Sequence, residues 1–238
     1  ITQAQGEYGA FLDSDDYLNP QYFAEVFKGI ETGADIIQFA VQRVDDQGNT
    51  IPFLHRMSKQ GLQTLNQDIL LELSNRSAWF AWLRVYKCEL FKDIRFPIGK
   101  NYEDAYTTPL LFFAAKTAYF SPEVLINYRI NPQGITATKS RKNIDDLGGV
   151  PLFYLERIEQ HPELVATMIA ISQSHIMDVL NADGISAAQQ RWKVLKQKMR
   201  QHPLNETMIR NRGNRLFFQY GVAFLLFDRT LRRLGLKK

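Results

Sequence analysis

Gly6-Glu-Tyr-Gly-Ala-Phe-Leu-Asp-Ser-Asp-Asp-Tyr-Leu18 joins a short apolar run to an acidic turn. Glu7 to Leu12 reads as a buried strand, by its length and its apolar and aromatic content. Asp13-Ser-Asp-Asp16 ends it. Strand ends of an open α/β sheet are where ligands bind, because several loops converge there with free backbone groups. Two carboxylates spaced i, i+2 on a tight turn can both reach one hard cation. Mg2+ or Mn2+ takes such oxygen ligands, with phosphate supplying others. The same turn has a plainer use, which is to cap the helix that follows. On this stretch alone both uses stand open.

Working outward, Asn19 is placed to N-cap a helix with Pro20 at its first position, ending near Thr32 before Gly33. Ile36 to Val44 reads as a second strand, and Thr50 to Leu54 as its hairpin partner across Asp46-Gln-Gly-Asn49. A short helix is expected over 65–74 and a strand over 82–86. Glu103 to Ala115 looks helical, with Pro109 either in a late first turn or at a kink. Lys116 to Phe120 and Val124 to Arg129 read as separate strand-like runs, and Asn131-Pro-Gln-Gly134 as a loop. Four helices follow, over 142–160, 162–183, 186–202 and 210–236, punctuated by His161-Pro162, Asp183-Gly184 and His202-Pro203. The expected domains are an α/β body over 1–140 and an α-helical extension over 141–238.

Composition bounds the function. The chain has 238 residues, and sixteen Phe, ten Tyr and three Trp are enough to fill a core, so disorder is excluded as its main state. A single cysteine, Cys88, excludes an intrachain disulfide framework and a cysteine-rich zinc site. The four histidines are scattered without metal-ligand spacing. No apolar run is long enough to span a bilayer. The opening residues carry no signal-peptide pattern, so a cytoplasmic location is expected. Charge is unevenly distributed. Residues 1–184 hold 16 Lys/Arg and 23 Asp/Glu, a net −7; residues 185–238 hold 13 and 2, a net +11. A basic tail on an acidic body suggests a meeting with an anionic surface. Its apolar stretch Leu216–Phe227, flanked by cations, fits an interfacial helix over 210–238 on anionic lipid and equally fits a helix packed on the body. Nucleic acid is not expected as a partner, since no binding motif accompanies the charge.

A second acidic pair, Glu103-Asp104, stands before an apolar helix. First-turn acids favour the helix dipole, and a carboxylate there can also serve as a general base. Together the segments resemble glycosyltransferase family 2, the inverting enzymes of the GT-A fold. The matching stretches are residues 6–18, like its strand and DxD motif; Trp82 to Pro97, like the stretch leading to the acceptor side; Asn101-Tyr-Glu-Asp104, like its ED motif; and Tyr128 to Thr136, like its post-sheet loop.

The resemblance implies a GT-A, Rossmann-like sheet and a metal-dependent sugar transfer. Asp15 and Asp13 would hold Mn2+ or Mg2+, with Asp15 the more direct ligand. Asp104 would be the catalytic base and Glu103 its neighbour. Asp16, Arg129 and Gly134-Ile135-Thr136 would lie on the donor side, although Arg129 equally suits a surface salt bridge. Trp79 and Trp82 would stack on a sugar at the acceptor side, core packing being the commoner role for such rings. The partners implied are a UDP-linked nucleotide-sugar donor and a glycan or lipid-linked acceptor, as in bacterial surface polysaccharide synthesis by an enzyme peripheral to the inner face of the cell membrane.

The chain also departs from the family. The N-terminal, donor-binding part is expected upstream of Ile1, so the chain alone is expected to be inactive. The Gln-x-x-Arg-Trp motif of processive members is missing, because residues 189–192 read Gln-Gln-Arg-Trp, and this implies a non-processive enzyme. Two alternatives remain: a non-catalytic membrane-surface or partner-binding module derived from a transferase, and a haloacid-dehalogenase-like phosphatase. The phosphatase fits poorly because Tyr17 stands two residues after Asp15, where Thr or Val is usual there.

Overall fold

The computed structural model describes residues 1–53, 56–131 and 139–236. The chain divides into two compact units. One is Ile1–Leu70 with Ala78–Thr138; the other is Leu71–Ser77 with Lys139–Lys238.

The first unit is built on a mixed sheet. Its strands are β1 (Tyr8–Ala10), β2 (Tyr17–Leu18), β3 (Ile36–Val44), β4 (Thr50–Phe53), β5 (Gly61–Thr64), β6 (Arg84–Lys87) and β7 (Thr117–Arg129). The order is β1-β6-β3-β7-β2, with β4 added on β3 and β5 on β7. Among the described residues only β3 and β7 pair in parallel, from Ile36↔Ala118 to Val44↔Arg129. β3 is central, and its run Ile36-Ile-Gln-Phe-Ala-Val41 is buried throughout, as a strand covered on both faces must be. Asp35 fastens the start of this layer. One carboxylate oxygen accepts from the Lys116 and Thr117 amides at 2.8 and 3.1 Å, and the other from Lys87 Nζ at 3.1 Å.

Helix α1 (Tyr22–Glu31) lays Tyr22 and Val26 into the core with Ile37, Phe39, Val41, Leu125 and Ile126. Gly29 permits the close approach: a Cβ there would lie 2.7 Å from Ile37 Cγ1. The helix starts later than the Asn19-Pro20 pair suggests. Asn19 Oδ1 accepts from the Gln21 amide at 3.1 Å and its carbonyl from the Tyr22 amide at 2.9 Å, so Asn19 forms the turn before the helix and no side chain caps it. Helix α2 (Gln67–Arg76) follows β5, and α3 (Glu103–Ala114) contains Pro109 within its span. The two runs expected before and after Ser121-Pro122 are one strand, β7. The pairing with β3 shifts register between Gln38 and Val41, and that irregularity accommodates Pro122, which has no amide to donate.

The second unit is helical: α4 (Arg141–Leu155), α5 (Leu164–Met199), α6 (Arg212–Tyr220) and α7 (Val222–Arg233). Ser140 caps α4 by accepting from the Asn143 amide at 3.2 Å. Gly184 interrupts α5 with φ 84°, and Gly221 separates α6 from α7 with φ 58°. A side chain at either would be strained. None of the described helices is long and apolar enough to cross a membrane. An α/β sheet part followed by a helical C-terminal part is the arrangement expected from the sequence.

Candidate active site

β1 runs straight into the acidic turn, and β2 leaves it to pair with β7 at Tyr17↔Asn127. Ligand atoms of Asp13, Asp15 and Asp16 come within 4.8 Å of one another. The end of β7 fixes this cluster. The Arg129 amide donates to Asp16 Oδ1 at 2.9 Å, Arg129 Nε donates to the Asp15 carbonyl at 2.6 Å, and Asn131 Nδ2 donates to Asp15 Oδ2 at 2.9 Å. Arg129 forms no ion pair among the described residues, so its observed work is to shape the loop. The part played by Asn131 was not foreseen from the sequence. Its position two residues after Arg129, on the same strand exit, is the available signal.

The electrostatics show an acid-rich place. Asp16 is only 8% exposed. Burial, with further repulsion from Asp13 and Asp15, pushes its carboxyl up to about 6. Its Oδ2 has no hydrogen-bond partner among the described residues. Asp13 is likewise raised by burial, then by Asp15 and Glu103.

The second acidic pair opens α3. Tyr102, just before it, holds a left-handed conformation (φ 59°, ψ 33°) that is uncommon outside glycine. That turn places Glu103 at the surface and tucks Asp104 inward, where Asp104 Oδ1 accepts from the Ala105 amide at 2.7 Å. Burial first, and then Glu103, push the Asp104 carboxyl up to about 7, and Asp13 adds to the shift. The two acidic segments, far apart in sequence, therefore share one electrostatic neighbourhood.

Arg84 opposes that shift. It is 1% exposed. Its guanidinium donates to Gln38 Oε1 at 2.8 Å, to the Phe80 carbonyl at 2.9 Å and to the Ala78 carbonyl at 2.7 Å, and it lies over the Phe112 ring of α3 at 5.0 Å. All three acceptors are neutral, so this buried cation keeps its charge available to the acids. Sequence reasoning gave it no separate role.

The two tryptophans expected on the acceptor side are core residues. Trp79 is 3% exposed and edge-on to Phe112; Trp82 is 7% exposed and stacks on Phe80 and Tyr128. Protein rings already occupy the apolar contacts that a sugar would need, which favours packing for both. Gly134, Ile135 and Thr136 lie outside the described residues, as does His55.

The residues present fit a divalent cation. Three carboxylates converge, one with an unpartnered buried oxygen, and two are pushed toward protonation in one another's company. An all-oxygen donor set is what Mg2+ or Mn2+ takes.

Comparison with known proteins gives a partial family match. The family model for glycosyl transferase family 2 matches residues 1–91, which include the acidic turn, β3 and β6. Over these residues the chain is similar to family 2 glycosyltransferases. The family 2 match stops before Glu103, so the second acidic pair is joined to the first by the charge coupling of Asp13 with Glu103 and Asp104. Two curated relatives carry related names. Glycosyltransferase GlyA of Streptococcus pneumoniae serotype 4 is 24% identical over 151 residues, 60% of this chain and 22% of that protein. EpsH of Bacillus subtilis, named a glycosyltransferase provisionally, is 24% identical over 192 residues, 74% of this chain and 55% of that protein. The chain thus spans about a fifth and about half of the curated relatives it matches. The mixed sheet with its parallel β3–β7 pair is GT-A-like.

Proposed function

We propose that the acidic turn and the start of α3 form the catalytic face of a non-processive inverting glycosyltransferase that moves a sugar from a nucleotide-sugar donor to a glycan or lipid-linked acceptor. The convergence of Asp13, Asp15 and Asp16 with Glu103 and Asp104 carries this reading. One carboxylate set suits a cation–diphosphate pair, and a separate carboxyl is poised near neutrality for proton transfer.

Asp13, Asp15 and Asp16 would hold Mn2+ or Mg2+. Such a cation supplies charge neutralisation to the diphosphate leaving group. Arg129 and Asn131 keep the acidic turn in the shape that presents those oxygens. Asp104 takes the proton from the acceptor hydroxyl as that oxygen attacks the anomeric carbon, and the sugar–phosphate bond breaks on the opposite face. Configuration inverts in this single displacement. Glu103 raises the basicity of Asp104, and Arg84 moderates it from below. The donor is UDP-linked in this proposal, and the acceptor belongs to surface polysaccharide synthesis. The helical unit would meet an anionic membrane surface through 210–236, where Tyr220, Phe227 and Leu234 are exposed among arginines.

Release of nucleoside diphosphate from a panel of nucleotide sugars, with Mn2+ or Mg2+ and with EDTA, tests the reading on the chain extended by the upstream residues of its reading frame. Asp104→Asn should cut turnover by about 10² to 10⁴-fold, and Asp15→Ala should abolish the metal response. Unchanged turnover in both variants would overturn the assignment.

A further inference from the structure

The helical unit contains a charged cavity that shares no residue with the acidic turn. It has a volume of about 480 Å3 and is lined by Lys196, Arg200, Glu206, Ile209, Arg215, Phe218 and Gln219. Its floor is apolar, with Ile209 1% and Phe218 9% exposed. One wall is held from both sides of Ile209: Asn75 Nδ2 donates to the Met208 carbonyl at 2.9 Å, and Asn75 Oδ1 accepts from the Arg210 amide at 2.7 Å. The cavity is therefore shaped before any ligand arrives.

Its charge is unbalanced. Three cations face one anion, Glu206. Lys196 Nζ is fixed on the Phe218 and Gln219 carbonyls at 2.7 and 3.5 Å, at the C-terminal end of α6. Burial, with repulsion from Arg200, holds its ammonium below the usual range despite the opposing pull of Glu206. Among the described residues, the side chains of Arg200 and Arg215 make no hydrogen bond or ion pair. Two unengaged guanidiniums beside an anchored ammonium offer forked donors to a tetrahedral dianion.

We propose that this cavity binds a phosphoryl group, borne by a soluble phosphate ester or by a lipid headgroup. A phosphate balances the excess of two positive charges, and the volume beyond it leaves room for the rest of the ligand over Ile209 and Phe218.

Calorimetric titration of the chain with pyrophosphate at low ionic strength tests the site, with EDTA present so that metal at the acidic turn plays no part. The wild type should bind with one-to-one stoichiometry. The double variant Arg200→Gln/Arg215→Gln should bind more weakly by about tenfold or more. An equal charge loss elsewhere, at the exposed Lys59→Gln/Lys92→Gln, should leave the affinity unchanged. No saturable binding, or the same weakening in both double variants, would overturn the proposal. Co-sedimentation with phosphatidylglycerol and with phosphatidylcholine vesicles separates the sources. Vesicle binding weakened more by the cavity pair than by the control pair identifies a lipid-borne phosphate, and a cavity-specific loss confined to pyrophosphate identifies a soluble one. The outcome does not depend on sugar transfer, so this proposal and the catalytic one can fail separately.

Discussion

At the scale of single residues, protonation decides how the site works. In the proposed role Asp104 can act as a base only when ionised, and its carboxyl is pushed up to about 7. Turnover should therefore rise with pH through about 7, and the acidic limb of a kcat/KM profile checks this. The same shift carries a cost in stability. The folded chain holds the Asp104 proton more tightly than the unfolded chain does. The stabilisation is complete below about pH 3.8 and is lost as pH rises through about 7. Asp104→Asn, which keeps the acceptor for the Ala105 amide, should melt above the wild type at pH 8 and level with it at pH 4. Thermal melts at the two pH values read the difference. The acids were legible because motif order and spacing exposed them. Arg84 was not, because buried arginines run against compositional expectation; the sole hint is a charge inside the apolar run Leu83-Arg84-Val85-Tyr86.

At the scale of elements, periodicity located most strands and helices, and local chemistry placed their ends less well. β3 was readable from its unbroken apolar run. β5 was missed because Gly61-Leu-Gln-Thr64 is four residues of mixed polarity, paired only at the start of β7. β7 was cut in two because Pro122 looked like a breaker, whereas the register shift against β3 leaves it no ladder bond to make. Gly184 and Gly221 were different: a left-handed break between helices is the conformation glycine adopts most readily, and the Asp183-Gly184 signal predicted the first of them. Close packing left no sequence trace at Gly29. The helix–sheet spacing there depends on the missing side chain, so Gly29→Val should destabilise the chain by about 1 to 3 kcal/mol through overpacking against Ile37. Urea unfolding, read at an unchanged m-value, measures it.

At the scale of the whole molecule, the net −7 of residues 1–184 and +11 of 185–238 make salt the natural probe. Sedimentation with phosphatidylglycerol vesicles should be strong near about 0.05 M salt and fall steeply by about 0.5 M, where charge is screened within a few ångströms. Phosphatidylcholine should not bind comparably, and Phe227→Ser should weaken whatever attachment survives screening. The charge separation was legible from the sequence, since it is a count. Which cations line a cavity was not, because Lys196, Arg200 and Arg215 meet only after the helices pack. The bond from the Arg129 amide to Asp16 has a consequence of another kind. Its partners are 113 positions apart, and the Asp35–Thr117 bond that starts the same layer spans 82. During synthesis the acidic turn leaves the ribosome long before the strand that shapes it exists. Closing such a span is entropically slow, so the turn acquires its working geometry late, as β7 docks beside β3. Until then the nascent chain carries the carboxylates as an unorganised anionic stretch, without the assembled acidic cluster.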